Sequence, residues 1–550
     1  MSDSQIAAGD CMSDSRKLML WAVLAGLLIT ALYGRFLHNP IVFDDLYFFM
    51  LGNDGHSSVE QFLQLSPFDL RALPYASLAW NARLFGFDLL PFRVENLLLH
   101  WLSVIALALF VLRLYRTVLP AERNGDNTGM TTAVLIAVSL FALHPVAVYA
   151  AGYLVQRSIV MATLFGALAL WAYLKGIADN RRAWLWGSVA LYFLATHSKE
   201  HLVMLPAAIV AMSVLLEADW KKRLRSDWPV FAGYTVVALL TVAQIRGVLG
   251  HPYEISSGEM LEGAAIHNAW FYSVLTQCWL YFKYGLLWLL PNPAWMSVDM
   301  REPMADGLFS VYGLALLAYL LYGAFALRLL LKRVASGLIG FALLFPWLMF
   351  ATEFSTVRIQ EIFVLYRSYI WALGGVVLLP LALMRLNARL TIAVTVLIAS
   401  TLFMVSMERL QSFSHPILLW EDAEKLVKDR QNLPGVSRIY YNLGTEWLKV
   451  DSFKPAFVNL QTAIRLNPGV SEAYGNLGSV YFKTGNSAQA IEAFSRAIEL
   501  DQRHAQPNYK HYMGRALAYE ANGQPLQAAA DYRVVCLLAN KGCDKAGGLR

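Results

Sequence analysis

Two adjacent carboxylates follow the first long apolar run of this sequence. The segment IVFDDLYFF places Asp44 and Asp45 shortly after an apolar stretch at 18–37. Adjacent carboxylates at a membrane face are costly unless they are used, paired or hydrated. An acid beside an apolar surface also tends to have a raised pKa, which suits a general base that removes a proton from a hydroxyl. The alternative is that the pair only marks the end of the apolar run.

Four cations near other apolar runs have the chemistry to hold a phosphate. Arg157, Lys199 and Arg367 fall at the outer ends of predicted spans, where snorkelling or phosphate pairing is possible. Arg71 lies in the loop that follows the acidic pair. For each cation the alternative is an ordinary interfacial anchor, and Glu200 is a candidate partner of Lys199. These residues predict a phosphate site on the outer side.

The histidines and cysteines show no spacing typical of a zinc site. His144 precedes Pro145 at a predicted helix end, where it either caps the helix or contacts a sugar or a phosphate. Asp44 and Asp45 could act as metal ligands as well as a base. We therefore predict no certain cofactor and leave a divalent metal open.

Composition predicts the elements that carry these residues. The chain has 550 residues, of which 57% are apolar and 15% charged, and its mean hydropathy is +0.45. A soluble protein has roughly 25% charged residues, so a polytopic membrane protein is indicated. The net charge of +6 is spread over short clusters between apolar runs, which favours topology signals over a nucleic-acid surface. The sequence predicts about eleven spans, at 18–37, 94–115, 131–150, 158–175, 183–198, 201–217, 229–249, 308–330, 337–352, 366–384 and 390–408.

The same basic clusters predict the orientation. With a cytoplasmic N-terminus, the Lys/Arg-rich connections face the cytoplasm, provided that the aromatic stretch 269–290 stays at the outer interface. Two long outer segments result, at 38–93 and at 250–307, and the first is expected to pack back onto the membrane face. We predict a bacterial inner-membrane domain over 1–410 and a periplasmic domain over 411–550.

The tail contains a repeat array. Residues 437–470 align without gaps onto 471–504, a period of 34, and a looser copy occupies about 509–540. Small residues recur at fixed places, a pattern similar to the tetratricopeptide repeat, whose paired helices stack into an α-solenoid that binds peptides or proteins. The segment 416–433 is predicted to add a helix at the front. The residues expected to contact a protein acceptor are Asn442, Tyr474 and Asn476.

Two cysteines lie close to the end of the last repeat. Cys536 and Cys543 are seven residues apart, and one continuous helix would hold them too far apart to bond. An exported tail permits a disulfide. Such a bond requires that the helix end near Asn540, Lys541 and Gly542.

Several segments, taken in order, resemble one family across nearly the whole chain. After the acidic pair they are RALPYASLAWNARLFGFDLLPFRVENLLLHWLS, FALHPVAVYAAGYLVQRSIVMATLFGALALWAYL, ATHSKEHLVMLPAAI, LLPNPAWMSVDM and EIFVLYRSYI. With the repeats at the end, they resemble the transmembrane tetratricopeptide-repeat proteins related to protein O-mannosyltransferases. These belong to the GT-C class of polyprenyl-phosphate-sugar-dependent glycosyltransferases. The pieces HPV…QR and SKE are the most specific, whereas Ala72 stands where the family often has Pro after Arg71.

The resemblance implies an all-α fold, with a GT-C-type membrane bundle followed by the repeat solenoid. It also implies that Asp44 or Asp45 is the catalytic base and that the donor is a lipid-linked sugar. The absence of a Gly-rich phosphate loop from the sequence fits such a donor.

We therefore predict a glycosyltransferase that attaches a sugar to a hydroxyl of a periplasmic protein or glycan, with inversion. Its partners would be the lipid-linked donor, membrane lipid and a protein bound by the repeats, without nucleic acid. The principal alternative is a non-catalytic membrane scaffold whose repeats assemble envelope or pilus machinery. A transporter is the third possibility, weakened by the scarcity of charged residues in mid-span.

Overall fold

The computed structural model describes residues 3–49, 58–119, 127–248, 268–503 and 507–546. Within these ranges the chain is built from helices and contains no β-strand, as the all-α prediction requires. Two compact units are present. The first contains the described residues up to Ser414, except Ser297–Glu302, which group with the residues from His415 onward in the second unit.

Long apolar runs form most of the helices of the first unit. Each run satisfies its backbone N–H and C=O groups internally, as a helix in an apolar environment must. The α-helices are α1 (Asp3–Tyr33), α2 (Asp45–Phe49), α3 (Ala72–Phe85), α4 (Leu89–Val118), α5 (Asn127–Ala142), α6 (Pro145–Ala151), α7 (Arg157–Ala178), α8 (Arg182–Ser198), α9 (Leu205–Leu216), α10 (Trp220–Ser226), α11 (Trp228–Val248), α12 (Ala269–Leu289), α13 (Val311–Leu331), α14 (Val334–Phe350), α15 (Leu373–Leu383) and α16 (Ala388–Ser412).

Part of the predicted set of spans is long and apolar enough to cross a membrane. Among the described residues seven helices meet this requirement, and the bent pair α5 and α6 would make an eighth. The other predicted spans coincide with helices of 17 residues or fewer, such as α8, whereas an upright span needs about 20. The count of eleven therefore stays a prediction. The seven helices are Arg16–Phe36, Leu89–Val118, Leu154–Ala178, Trp228–Ile245, Val311–Leu331, Val334–Phe354 and Ala388–Ser412.

The predicted span at 131–150 is bent instead of straight. Helices α5 and α6 meet at an angle of 63°. Proline has no backbone N–H and disfavours helical backbone in the residue before it. His144, which precedes Pro145, is accordingly extended, with a ψ of 134°. Its Nδ1 accepts a hydrogen bond from the Val146 N–H at 3.3 Å, so His144 caps α6.

The aromatic stretch at 269–290 forms helix α12. Its buried face packs against the chain that follows α14, where the Gln277 Nε2 donates to the Ile362 carbonyl at 2.9 Å. The Tyr284 hydroxyl donates to the Val364 carbonyl at 3.0 Å. These bonds fasten the irregular segment between α14 and α15, which contains the 3₁₀ turns Ala351–Phe354 and Leu365–Tyr369. The position of α12 relative to a membrane stays a prediction.

The second unit contains the repeats as helix pairs. Helices α18 and α19 coincide with the first predicted repeat, α20 and α21 with the second, and α22 and α23 with the third. Helix α17 is the predicted helix at the front. The small residues have the expected role, because a Cβ at Gly478 would come within 3.0 Å of the Phe494 ring across the pair. The α-helices are α17 (Pro416–Val427), α18 (Val436–Lys449), α19 (Phe453–Leu466), α20 (Ser471–Lys483), α21 (Ser487–Arg503), α22 (Tyr509–Ala521), α23 (Pro525–Ala539) and α24 (Cys543–Ala546).

The last repeat helix ends where a disulfide requires it to end. Helix α23 stops at Ala539, and Asn540 adopts a left-handed conformation with a φ of 51°. The chain turns there and brings Cys536 and Cys543 together in a disulfide, with their Cα atoms 4.9 Å apart. The bond that the sequence left open is therefore present.

Candidate active site

The two adjacent aspartates have different surroundings. Asp44 lines a cavity of about 1080 Å³ in the first unit, and its backbone N–H donates to the Tyr153 hydroxyl at 2.7 Å. Asp45 lies behind the cavity wall with only 1% of its surface exposed, where its Oδ1 accepts the Val155 N–H at 2.9 Å. The preceding Phe43 is held at a φ of 50°, a conformation that non-glycine residues rarely adopt. This backbone turn helps to separate the two side chains.

Burial also distinguishes the chemistry of Asp45. Removal from water raises the pKa of Asp45 to about 7, although the nearby charge of Arg93 opposes this change. Arg93 in turn donates to the carbonyls of Asn39 and Pro40, just before the acidic pair. Asp45 is therefore placed to anchor the loop, and Asp44 is placed to meet a bound molecule.

Cations from three parts of the chain line the same cavity. Arg71 comes from the N-terminus of α3, Lys199 from the turn after α8, and Arg358 and Arg367 from the segment between α14 and α15. Three of the four were predicted from sequence, and Arg358 was not. The carboxylates that line the cavity beside Asp44 are Glu200 and Glu361.

Arg71 is held by a carboxylate. It occupies the N-cap position of α3 in the left-handed region, with a φ of 61°. Its Nε donates to the Glu200 Oε2 at 3.1 Å, and its Nη1 donates to the Tyr75 hydroxyl at 3.2 Å. Burial alone would lower the pKa of Arg71, but the charge of Glu200 outweighs it and raises that pKa well above its ordinary value. Glu200 thus bonds Arg71, whereas the sequence suggested Lys199 as its partner.

Arg367 is held between two carboxylates. Its Nη1 lies 3.0 Å from the Glu353 Oε2, and its Nη2 lies 2.7 Å from the Glu361 Oε2. Glu353, which is fully buried, also lies 3.3 Å from the Nε of Arg358 and 3.4 Å from the Nε2 of His201. A removed partner would leave a buried charge uncompensated, so this network fixes the irregular segment in place.

Lys199 differs from the three arginines. The side chain is 95% buried, and its Nζ lies 5.5 Å from the centre of the Tyr366 ring. Glu200 and Glu361 act on the charge of this ammonium, but among the described residues their close ion pairs are with Arg71 and Arg367. Burial, with a smaller contribution from the charge of Arg71, lowers the pKa of Lys199 to about 7. A cation in such a place is suited to bind an anion that enters the cavity.

Arg157 lies away from the cavity lining, and its guanidinium donates four hydrogen bonds to protein groups. Its Nε donates to the Asn96 Oδ1 at 2.7 Å, and its Nη1 donates to Ser77 and to Glu95 at 2.9 and 2.8 Å. Its Nη2 donates to the Phe92 carbonyl at 2.9 Å. Arg157 therefore joins α3, α4 and α7 and is not among the residues that line the cavity.

His144, the other sequence candidate outside the lining, stacks on the Trp288 ring with their centroids 4.2 Å apart. Its Nε2 lies 3.1 Å from the Trp288 carbonyl. Both ring nitrogens are thus occupied by the protein, because Nδ1 caps α6. The sequence signal that separates His144 from the cavity residues is Pro145, which marks a helix start.

The three repeat residues proposed from sequence are half-buried on inner helices of the array. The Asn476 Nδ2 donates to the Thr445 Oγ1 of the preceding repeat at 2.8 Å. The Tyr474 hydroxyl interacts with Arg496 of the paired helix. Asn442 takes the same place in its own repeat as Asn476. The structure does not test their contact with an acceptor.

Sequence reasoning missed several cavity residues and left one acid without a role. Glu361 and Arg367 lie in one short segment, EIFVLYRSYI, and this spacing was the available signal for their pairing. In the second unit, Asp299 bonds Arg301 and Arg438 at 2.6 and 2.8 Å. No group of three or more potential metal-ligating side chains occurs among the described residues.

Comparisons with known proteins identify the repeats. The family described as Tetratricopeptide repeat matches residues 471–504, which is the second predicted repeat. No curated protein matches the sequence.

Solved structures that are similar include two crystal structures of MamA. One is 26% identical over 26% of this chain and 73% of that chain, with a TM-score of 0.21. The other is 27% identical over 25% and 76%, with a TM-score of 0.21. A third structure, the APC/C hetero-tetramer Cut9-Hcn1, is 13% identical over 89% and 97%, with a TM-score of 0.22.

Proposed function

We propose that the chain is a membrane glycosyltransferase that moves a sugar from a polyprenyl-phosphate-linked donor to a hydroxyl of a periplasmic protein or glycan. The observation that carries the proposal is the position of Asp44 in a cavity that also contains Lys199 and three arginines. A carboxylate and cations around one cavity are the groups that sugar transfer from a phosphate requires.

In the proposed reaction the carboxylate and the cation have separate roles. Asp44 accepts the proton of the acceptor hydroxyl, and the oxygen forms a new bond to the anomeric carbon of the sugar. The bond between that carbon and the phosphate oxygen breaks, and polyprenyl phosphate leaves with the electron pair. One displacement of this kind inverts the anomeric carbon. Lys199, whose ammonium lies 5.5 Å from the centre of the Tyr366 ring, neutralises the leaving phosphate.

The remaining cavity wall suits a lipid-linked molecule. Val242 and Ile245 of α11, Trp270 of α12 and Phe354 contribute apolar side chains to the same lining. A polyprenyl chain would pack against such side chains while its phosphate remained near the cations. The arginines bonded to Glu200 and Glu361 keep the polar half of the cavity in position.

The proposal is tested by release of polyprenyl phosphate. The full-length protein in lipid nanodiscs is incubated with radiolabelled polyprenyl-phosphate sugars and a periplasmic protein extract, and the Asp44→Asn variant serves as the control. Release by the parent and its loss in the variant would support the proposal. If a broad set of such donors gave no release with the folded parent, the transfer function would be rejected.

A protein-binding scaffold is the second candidate, and the match of residues 471–504 to the tetratricopeptide repeat favours it. Such repeats present concave surfaces to proteins. The two candidates are compatible if the repeats bring a protein acceptor to the membrane unit. Deletion of residues 437–550 should then leave donor binding intact and reduce transfer to a protein. A pure scaffold would show partner binding without any release of polyprenyl phosphate.

A further inference from the structure

Helix α3 carries an apolar stripe that the protein does not cover. Leu73, Trp80 and Leu84 fall within about 40° of one another on a helix of 3.6 residues per turn, and all three side chains are exposed. Leu78 and Ala82 on the opposite side are buried in a cluster with Phe92. The helix is thus apolar on two faces, although it lies in the segment between the first two predicted spans.

The exposed apolar surface continues along the chain into a candidate span. Phe85, the last residue of α3, and Phe87, in the connection to α4, are both exposed. In α4 itself Val94 and Leu98 are about half exposed, and this helix is long and apolar enough to cross a membrane. Lipid is the expected cover for such side chains on a membrane-spanning helix.

The charges of α3 agree with a lipid cover. The helix ALPYASLAWNARLF contains no acidic residue, and its one cation, Arg83, lies 5.6 Å from the Trp80 ring centre. Trp beside Arg is typical of the boundary between lipid headgroups and acyl chains, where the ring is half immersed and the cation meets phosphate.

We propose that the outer stripe of α3, defined by Leu73, Trp80 and Leu84, is a membrane-contact surface that lies in the outer leaflet beside α4. The proposal goes beyond sugar transfer and depends only on the insertion of α4. It has a structural consequence for the cavity, because the N-cap residue of α3 is Arg71. Lipid contact along the stripe would therefore support the helix that holds one cavity cation. Ser77 and Asn81 fasten the same helix from within, through Arg157 and Glu95.

The test places an environment-sensitive NBD label on the stripe. Leu84→Cys is made in the full-length Cys11→Ser protein, and Trp80→Cys is a second variant on the same stripe. Val458→Cys is the matched control, because Val458 is an exposed apolar residue on α19 of the repeat unit. Each labelled protein is reconstituted into phosphatidylcholine nanodiscs with and without doxyl-labelled lipid, and iodide serves as the aqueous quencher.

We expect a blue-shifted emission at positions 84 and 80, a several-fold larger loss of fluorescence to doxyl lipid than at position 458, and protection from iodide. Quenching by iodide at positions 80 and 84 equal to that at 458 would overturn the proposal. Protection from both quenchers would also overturn it, since another protein surface would then cover the stripe. The readout is independent of transfer, so an inactive protein can still support or refute this proposal.

Discussion

Asparagine at each of the two adjacent aspartates should produce separable effects. Asp44→Asn keeps the size of the side chain but removes the proton acceptor that faces the cavity. Asp45→Asn keeps an oxygen that can accept the Val155 N–H. We therefore expect Asp44→Asn to lower sugar transfer by about 10²-fold or more, the typical scale of general base catalysis, with little effect on folding. Asp45→Asn should retain most of the transfer activity.

The size of the effect of Asp45 on the free energy of unfolding follows from the burial of its carboxyl group. The folded protein holds a proton on this carboxyl up to a pH of about 7, whereas the unfolded chain releases it near the ordinary pKa of 3.8. The folded state therefore binds more protons between these values, and the free energy of unfolding falls as the pH rises through that window. A difference of about 3 pKa units corresponds to roughly 4 kcal/mol at 1.36 kcal/mol per unit. Asn is neutral at every pH in this window, so the Asp45→Asn variant should not lose this free energy of unfolding as the pH rises.

The assay measures both properties on purified protein. Thermal midpoints are recorded in detergent at a pH of about 5 and of about 8, and transfer is measured in nanodiscs. Asp45→Asn should have a flatter pH dependence than the parent and a higher Tm at the higher pH. The reasoning is refuted if both variants fold and lose transfer equally, or if Asp45→Asn lowers the Tm at the higher pH.

Three further predictions concern the cavity, the orientation and the disulfide. Lys199→Gln should weaken donor binding, measured by filter binding, by about 10- to 150-fold, since a charge-assisted contact is worth roughly 1.5–3 kcal/mol. The donor affinity of the parent should fall as the pH rises from about 6 to about 8, because the pKa of Lys199 is about 7. An unchanged affinity would show that Lys199 does not bind the donor phosphate. Reporter fusions that need export should be active after Asp451 and inactive after Lys222, and the reverse pattern would contradict the orientation. Cys543→Ser should lower the stability of the last repeat by roughly 2 kcal/mol, the scale of closing so short a loop, as measured by hydrogen exchange against the oxidised parent, with the reduced parent as the matched control. No difference between oxidised parent and variant would show that the bond constrains nothing.

Features of the fold were predictable where the residues that form them are close together in the sequence. The repeats were evident because small residues recur every 34 positions and the paired helices are neighbours in sequence, as Gly478 and Phe494 illustrate. The limits of most long helices followed from apolar runs, because an apolar stretch with satisfied backbone groups has few alternatives to a helix. The turn after α23 was predicted on the condition that Cys536 and Cys543 bond, and the structure contains that bond.

Which residues line the cavity depends on the directions of their side chains, and these could not be read from the sequence. Arg157 and Lys199 are both cations near the ends of apolar runs, but one bonds Asn96, Ser77 and Glu95 and the other faces the cavity. Which way each side chain points is decided by the rotation of its helix and by the groups that neighbouring helices supply.

By itself the sequence determined an all-α chain with long apolar helices, a repeat tail, and two carboxylates shortly after the first apolar run. Only the tertiary structure decided that Asp44 faces the cavity while Asp45 bonds Val155. The two residues are adjacent in sequence, and the backbone conformation points their side chains in different directions. It also decided that Glu200 bonds Arg71 although 129 positions separate them. Contacts of such separation form when helices pack, and packing depends on the whole set of side chains between the two residues.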